Sequence, residues 1–211
     1  MPNWCNNTIQ IQGPKEKILK LKEAAVQGRM LDHMMPMPEE LKDSERYPAD
    51  GTDRKHLLDL YGASDWYHWA VNNWGTKWDT GVDDEAYIKF KHELLGKEDG
   101  WSEITFSFDS AWSPPIGAYE HYLNENEDVS IRATYYEPGC DFTGVWEDHD
   151  DICYTLSELS DSFFINDKLG QELDDLYGIV ESREEYRAEL EEEERRDEKN
   201  GLYPEHEDLS N

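Results

Sequence analysis

The stretch WCNNTIQIQGPKEKILKLKEAAVQG, Trp4 to Gly28, constrains the architecture more than any other part of the chain. Ile9 and Ile11 alternate with polar residues, the period of a half-buried strand, and Gly13-Pro14 ends the run. Pro14 then opens a helix that Gly28 closes. Ile18, Leu21 and Ala25 recur at the spacing of a buried stripe, which Leu19 and Val26 would widen. A strand feeding directly into an amphipathic helix calls for a sheet with that helix laid across one face.

Further along, MLDHMMPMPEEL carries Pro36 and Pro38, which interrupt any regular element, and four methionines suited to filling gaps under a loop. Residues 42–62 read as polar and irregular, with one helical turn at DRKHLLDLYG. EAYIKFKHELL and SEITFSFDSAW alternate as strands, PIGAYEHYLNENED has helical spacing, and VSIRATYYEPG returns as a strand. FTGVWEDHDDICYTLS reads as a hairpin with an acidic turn. The order strand, helix, insert, strand, strand, helix, strand is a split β-α-β pattern. The predicted fold is therefore α+β: a ferredoxin-like antiparallel sheet with two helices on one face, a Trp-rich helical insert, a β-hairpin and an acidic C-terminal helical extension. The domain boundaries follow: residues 1–160 with the insert at about 30–80, then 161–211.

The charge of the chain is its second constraint. Against 20 Lys and Arg stand 49 Asp and Glu, a formal charge of −29 over 211 residues. Such a surface repels phosphate backbones and anionic membranes, which argues against direct nucleic-acid or membrane binding. About half of the acids lie beyond Cys140. Solubility asks for a net charge of only ~2–8 in a small domain, and the excess costs stability through self-repulsion. Three cysteines, Cys5, Cys140 and Cys153, give no disulfide framework. No apolar leader follows Met1 and no run is long enough to span a bilayer, so the expected setting is the cytoplasm of the host cell.

The segment DWYHWAVNNWGTKWDTG holds four of the eight tryptophans. On a helix starting near Ser64 or Asp65, Trp66, Trp69, Ala70 and Asn73 share a face, and Gly75 ends it. A base-stacking platform needs a basic groove, and only Lys77 and a few other bases are at hand. The favoured reading is that Trp66, Trp69 and Trp78 plug the gap between insert and sheet, with Trp101 and Trp112 nearby.

Together, MPNWCNNTIQIQG, WYHWAVNNWGTKWD and ITFSFDSAWSPPIGAYEHY resemble the YubB-like proteins, a ferredoxin-like family of bacteriophages and plasmids. The resemblance covers roughly residues 1–150, with NWGTKWD and AWSPP its most specific pieces. It implies a ferredoxin-like fold and a mobile-element origin; it supplies no catalytic residues. The region from about Asp161 lies outside it.

No GxSxG, HExxH, phosphate-binding glycine loop or dinucleotide fingerprint occurs, so the chain reads as a non-enzyme without a cofactor. His68, His92 and His121 are scattered. Cys5 lacks a positive field to activate it. Asp109, in FDSAW, is the first choice for a catalytic acid, against the simpler reading that it caps the following turn. In WEDHDDIC, Glu147, Asp148, His149, Asp150 and Asp151 mix the ligand types of a divalent metal, but neighbouring turn residues point apart.

The functional expectation is an acidic mobile-element protein that binds and inhibits a basic host protein, in its sharpest form as a mimic of DNA. The target would be a nuclease, a restriction or CRISPR effector, or a nucleoid protein. Candidate contacts are Glu184, Glu185, Glu189, Glu191, Glu192, Glu193 and Glu194 on the final helix and Asp148, Asp150 and Asp151 on the hairpin. One alternative is a metal-dependent enzyme or regulator using the acidic hairpin. Another is a nucleic-acid-binding module stacking bases on Tyr135 or Phe106.

Overall fold

Strand β1, Trp4–Pro14, runs straight into helix α1, Lys15–Val26, in a computed structural model that describes residues 3–44, 54–82, 84–93 and 100–199. Cys5, Asn7, Ile9 and Ile11 are buried while Asn6, Thr8, Gln10 and Gln12 are half-buried, the period-two pattern of a strand with one covered face. Helix α1 contributes Ile18, Leu21 and Ala25 to the core beneath. Leu19 and Val26 do not join that stripe; they are 41% and 39% exposed. At ~100° per residue they fall on the helix flank, well away from the line through Ile18, Leu21 and Ala25.

Among the described residues an excursion of four short helices follows: α2, Met30–Met34; α3, Glu39–Lys42; α4, Lys55–Tyr61; and α5, Trp66–Asn73. The two prolines fall between α2 and α3, and Pro38 immediately precedes α3, so regular structure survives on both sides. Met30, Met34 and Met37 are buried and Met35 packs against the core. Asp65 caps α5, its carboxylate accepting from the His68 N–H at 3.0 Å. Residues 45–53, within the stretch read as irregular, and the terminal LYPEHEDLSN lie outside the described residues.

Beside two 3-10 turns, Glu85–Tyr87 and Leu156–Glu158, the other described elements of this part are β2, Lys89–Glu93; β3, Trp101–Ala111; α6, Ile116–Glu125; β4, Ser130–Glu137; β5, Phe142–Glu147; and β6, Asp150–Thr155. The strands form a six-stranded sheet in the order β2-β3-β1-β4-β5-β6, every neighbouring pair antiparallel. In the covered face Ile9 stands between Phe106 and Ala133, and Ile11 between Ile104 and Ile131. The row from Ala133 continues to Trp146, whose ring lies 5.4 Å from that of Tyr119 on α6. Helices α1 and α6 thus contribute to one core over one face. Tyr135 and Phe106 sit in this core at 1% and 3% exposure, so neither ring is presented for stacking. Period-two alternation marks two faces but does not say which one a helix will cover.

The chain divides into two compact units, Met1–Leu159 and Ser160–Asn211. The second contains α7, Asp161–Asn166; α8, Lys168–Tyr177; and α9, Ile179–Lys199. Asp167 caps α8 by accepting from the N–H groups of Leu169 and Gly170 at 2.8 and 3.1 Å. Gly178, at φ 62°, ends α8 in the left-handed conformation that glycine adopts without penalty, and α9 begins at the next residue. Arg183 and Arg187 of α9 both bind the Asp161 carboxylate, at 3.1 and 2.8 Å. Among the described residues no helix is long and apolar enough to cross a membrane.

Candidate functional site

Helix α9 has 21 residues, ten acidic and five basic, and is about 31 Å long at 1.5 Å per residue. Glu184, Glu185, Glu189, Glu191, Glu192, Glu193 and Glu194 all lie on it and all are exposed. The 3.6-residue period puts Glu185, Glu189, Glu192 and Glu193 on one face, while Arg183 and Arg187 turn to Asp161 on another. These two pairs hold the Asp161 carboxyl below the ordinary carboxylate range.

The three hairpin aspartates belong to the other unit and are not equivalent. Asp148 and His149 form the two-residue turn between β5 and β6, with φ of 42° and 81°, a left-handed pair usually supplied by Asn-Gly. The Asp148 carboxylate stabilises it by accepting from the Ile131 N–H and the Ser130 hydroxyl, each at 2.9 Å. Asp151 accepts from the Tyr135 hydroxyl at 2.6 Å, a bond that Gly144 permits because a Cβ there would come within 2.5 Å of that hydroxyl. Burial first, and then the Asp151 carboxylate, push the Tyr135 hydroxyl well above its ordinary value. His149 turns to Glu120 at 2.5 Å, and Glu147 to Arg132 at 3.3 Å. Asp150 is exposed. With each side chain aimed at a different partner, no group of three or more His, Cys, Asp or Glu among the described residues could hold a metal ion.

The tryptophans divide into two sets. Trp69 and Trp74 are buried, their rings 5.4 Å apart and edge-on, and the Trp74 indole N–H donates to the Met35 carbonyl at 2.9 Å. Trp74, rather than the expected Trp78, completes the plug that Trp66 borders. Of the two tryptophans expected nearby, Trp112 lies beside the insert, its ring centroid 6.3 Å from that of Tyr67 on α5, whereas Trp101 stands at the other end of the 11-residue β3, roughly 36 Å from Trp112 at strand rise. Trp78 lies instead against Trp4, with ring centroids 5.8 Å apart at 52°. The Lys77 ammonium sits 4.4 Å from the Trp78 ring centroid and 5.8 Å from that of Trp112, within cation–π range.

This second aromatic set borders an open cavity of about 710 Å³ that sequence reasoning missed, lined by Trp4, Trp78 to Val82, Tyr87 and Ser107 to Asp109, with Gly28. Asp79 anchors its wall: the carboxylate accepts from the N–H groups of Leu31, Asp32 and Thr80 at 2.7, 2.9 and 2.8 Å. Burial nevertheless pushes the Asp79 carboxyl above its ordinary value. The close pass of this segment over α1 requires Gly81, where a Cβ would stand 2.1 Å from the Ala25 carbonyl oxygen. Asp109 does not cap the turn after β3. Its carboxylate accepts from the Asn6 amide at 2.7 Å, while the Ser110 hydroxyl makes the turn contact, to the Ser113 carbonyl at 2.7 Å. Cys5 is fully buried and its thiol is pushed up to about 12, chiefly by burial, which makes it inert as a nucleophile.

Fold and surface define an α+β chain with an acidic helical unit and an aromatic cavity at the edge of its sheet. No family model matches the chain, and no curated protein matches it. Among solved structures it is similar to a crystal structure of the protein api92 from Yersinia pseudotuberculosis, family model DUF1281, at 11% identity and a TM-score of 0.36. That match covers 75% of this chain and 96% of the other, and at such a score it bears on neither fold family nor function.

Proposed function

We propose that this chain is an acidic binding protein of a phage or plasmid, which inhibits a basic host protein by occupying its nucleic-acid cleft in the host cytoplasm. The observation that carries the reading is the exposure of all seven candidate glutamates on one helix. Duplex DNA presents one charge per ~1.7 Å of axis, ~3.4 Å on each strand. Ten carboxylates over the length of α9 come to one per ~3 Å of axis, comparable with a single strand before its five basic residues are counted. The face bearing Glu185, Glu189, Glu192 and Glu193 is therefore the part that copies a strand. Asp150 is an additional exposed contact; Asp148 and Asp151 serve the hairpin. Restriction, CRISPR and other nucleases and nucleoid proteins share the basic cleft that such a face fits.

The ferredoxin-like reading of the first unit is supported by the order β2-β3-β1-β4, with α1 and α6 on the two crossovers and β5 and β6 added beyond β4. The YubB-like assignment and the mobile-element origin rest on the sequence motifs alone.

The test is capture of DNA-binding host proteins on the full chain and on Glu185→Gln/Glu189→Gln/Glu193→Gln, at about 50 mM and 200 mM salt, with duplex DNA as competitor. A captured protein that duplex DNA displaces, that high salt releases and that the triple variant fails to hold supports the reading. Equal capture by the variant, or none at low salt, overturns it.

A further inference from the structure

We propose that the cavity beside β3 binds a short extended peptide segment of a partner protein: its main chain adds to the Ser107–Asp109 edge, and its Lys or Arg side chain lies against Trp4 and Trp78, facing Asp109. This site does not depend on α9.

The edge follows from alternation. In an antiparallel ladder successive residues direct their N–H and C=O groups to opposite sides. The Asp109 carbonyl accepts from the Thr80 hydroxyl at 2.9 Å, and Ala111 bonds through both backbone groups to the Thr76 hydroxyl, so the odd-numbered residues of β3 point away from β1. Strand β2 takes up that side only as far as Thr105, opposite Lys89. Ser107 comes next in the outward row, is exposed and borders the cavity. Between Thr105 and Asp109 lie four strand steps, ~13 Å, a window for two or three residues of an added strand.

The side-chain preference follows from the walls. Among the described residues no Lys or Arg lines the cavity, whereas Asp79 and Asp109 do. Trp78 already receives a cation on its ring, from Lys77, and Trp4 beside it is 43% exposed. Aromatic faces with a carboxylate alongside are the chemistry that holds an alkylammonium or guanidinium.

A chain of charge −29 attracts basic peptides everywhere, so the readout is resolved by site. The full chain is titrated with acetyl-Thr-Val-Arg-Val-Thr-amide at about 0.15 M salt, following backbone amide shifts. Two further titrations use the same peptide with Gln for Arg, and arginine amide alone. Saturable shifts centred on Ser107 and Asp109, weakened in the Gln peptide and about 2- to 5-fold in Trp4→Ala, support the proposal. Ser107→Pro, which removes the outward N–H, weakens the peptide about 5-fold and leaves arginine amide unaffected; Asp109→Asn, which removes the facing charge and leaves the strand intact, weakens both the peptide and arginine amide. Absence of saturable shifts at these residues overturns the proposal. So does arginine amide binding as tightly as the peptide, which would make this a small-cation site. The α9 triple variant retains peptide binding, so failure here and failure of the acidic-helix reading are distinguishable.

Discussion

Neutralising Glu185, Glu189 and Glu193 of α9 separates what these carboxylates do to their own helix from what they do to a partner. In the helix they form like-charge pairs at i,i+4: Glu181 with Glu185, Glu185 with Glu189, Glu189 with Glu193 and Glu193 with Asp197. At i,i+3 one repulsive pair, Glu189 with Glu192, is offset by one attractive pair, Glu193 with Arg196. Each i,i+4 repulsion costs ~0.2–0.5 kcal/mol, and Gln matches Glu in helix propensity. Converting all three to Gln therefore stabilises the helical unit by about 1–2 kcal/mol at low ionic strength. The assay is denaturant unfolding followed by far-UV circular dichroism and by amide exchange in 179–197, at about 10 mM and 1 M salt. The gain shrinks at the higher salt, where the Debye length falls to ~3 Å. Stabilisation accompanied by lost partner capture is the signature of charge retained for binding at the expense of the fold. A variant no more stable than the parent at low salt would refute the premise that this helix carries uncompensated repulsion.

Three further outcomes are specific. Gly144→Ala places a Cβ 2.2 Å from the Ile152 carbonyl oxygen and 2.5 Å from the Tyr135 hydroxyl; a loss of about 1–3 kcal/mol in urea unfolding is expected, with displaced Tyr135 ring resonances. Trp74→Ala removes a buried indole bonded to Met35 and lowers stability by ~3–5 kcal/mol in the same assay. The Asp161 carboxyl is held low by Arg187 and Arg183, so the native state binds its proton later than the unfolded chain. Its contribution is present above the ordinary value of 3.8 and is lost as pH falls through the depressed native value. Carbon-13 titration of Asp161 should show the low midpoint, and Arg187→Ala should raise it.

Local signals were legible and distant ones were not. The first strand and helix announced themselves because alternation, Gly13-Pro14 and the stripe of Ile18, Leu21 and Ala25 are all short-range features, and Asp65 was readable as a helix start for the same reason. The hairpin of Phe142 to Thr155 was legible too, although its turn takes the left-handed conformation at Asp148 and His149 without a glycine, held by a side-chain bond to β4 that no local pattern encodes. Tryptophan spacing put Trp69 inside, but the choice of Trp78 over Trp74 for the plug was wrong, since both lie past the helical period and tertiary contacts decide. The cavity was out of reach because its walls come from residues 4, 78–82 and 107–109, which only sheet pairing brings together. The exposure of the α9 glutamates was the part of the acidic surface easiest to foresee, because almost nothing apolar in that helix competes for burial.

The position of β1 in the sheet has a consequence for how the protein is made. Its two neighbours are β3, paired Ile9 to Phe106, and β4, paired Ile9 to Ala133, so β1, once it has left the ribosome, meets neither partner until about a hundred more residues have followed. At ~5–20 residues per second that interval lasts roughly 5–20 s, during which the apolar side of β1 is sheltered by helices of the same core rather than by its partner strands. Pairings of such long sequence separation also favour slow refolding. Early translational pausing or starvation for chaperones should therefore lower the yield of this chain more than that of a helical protein of equal length.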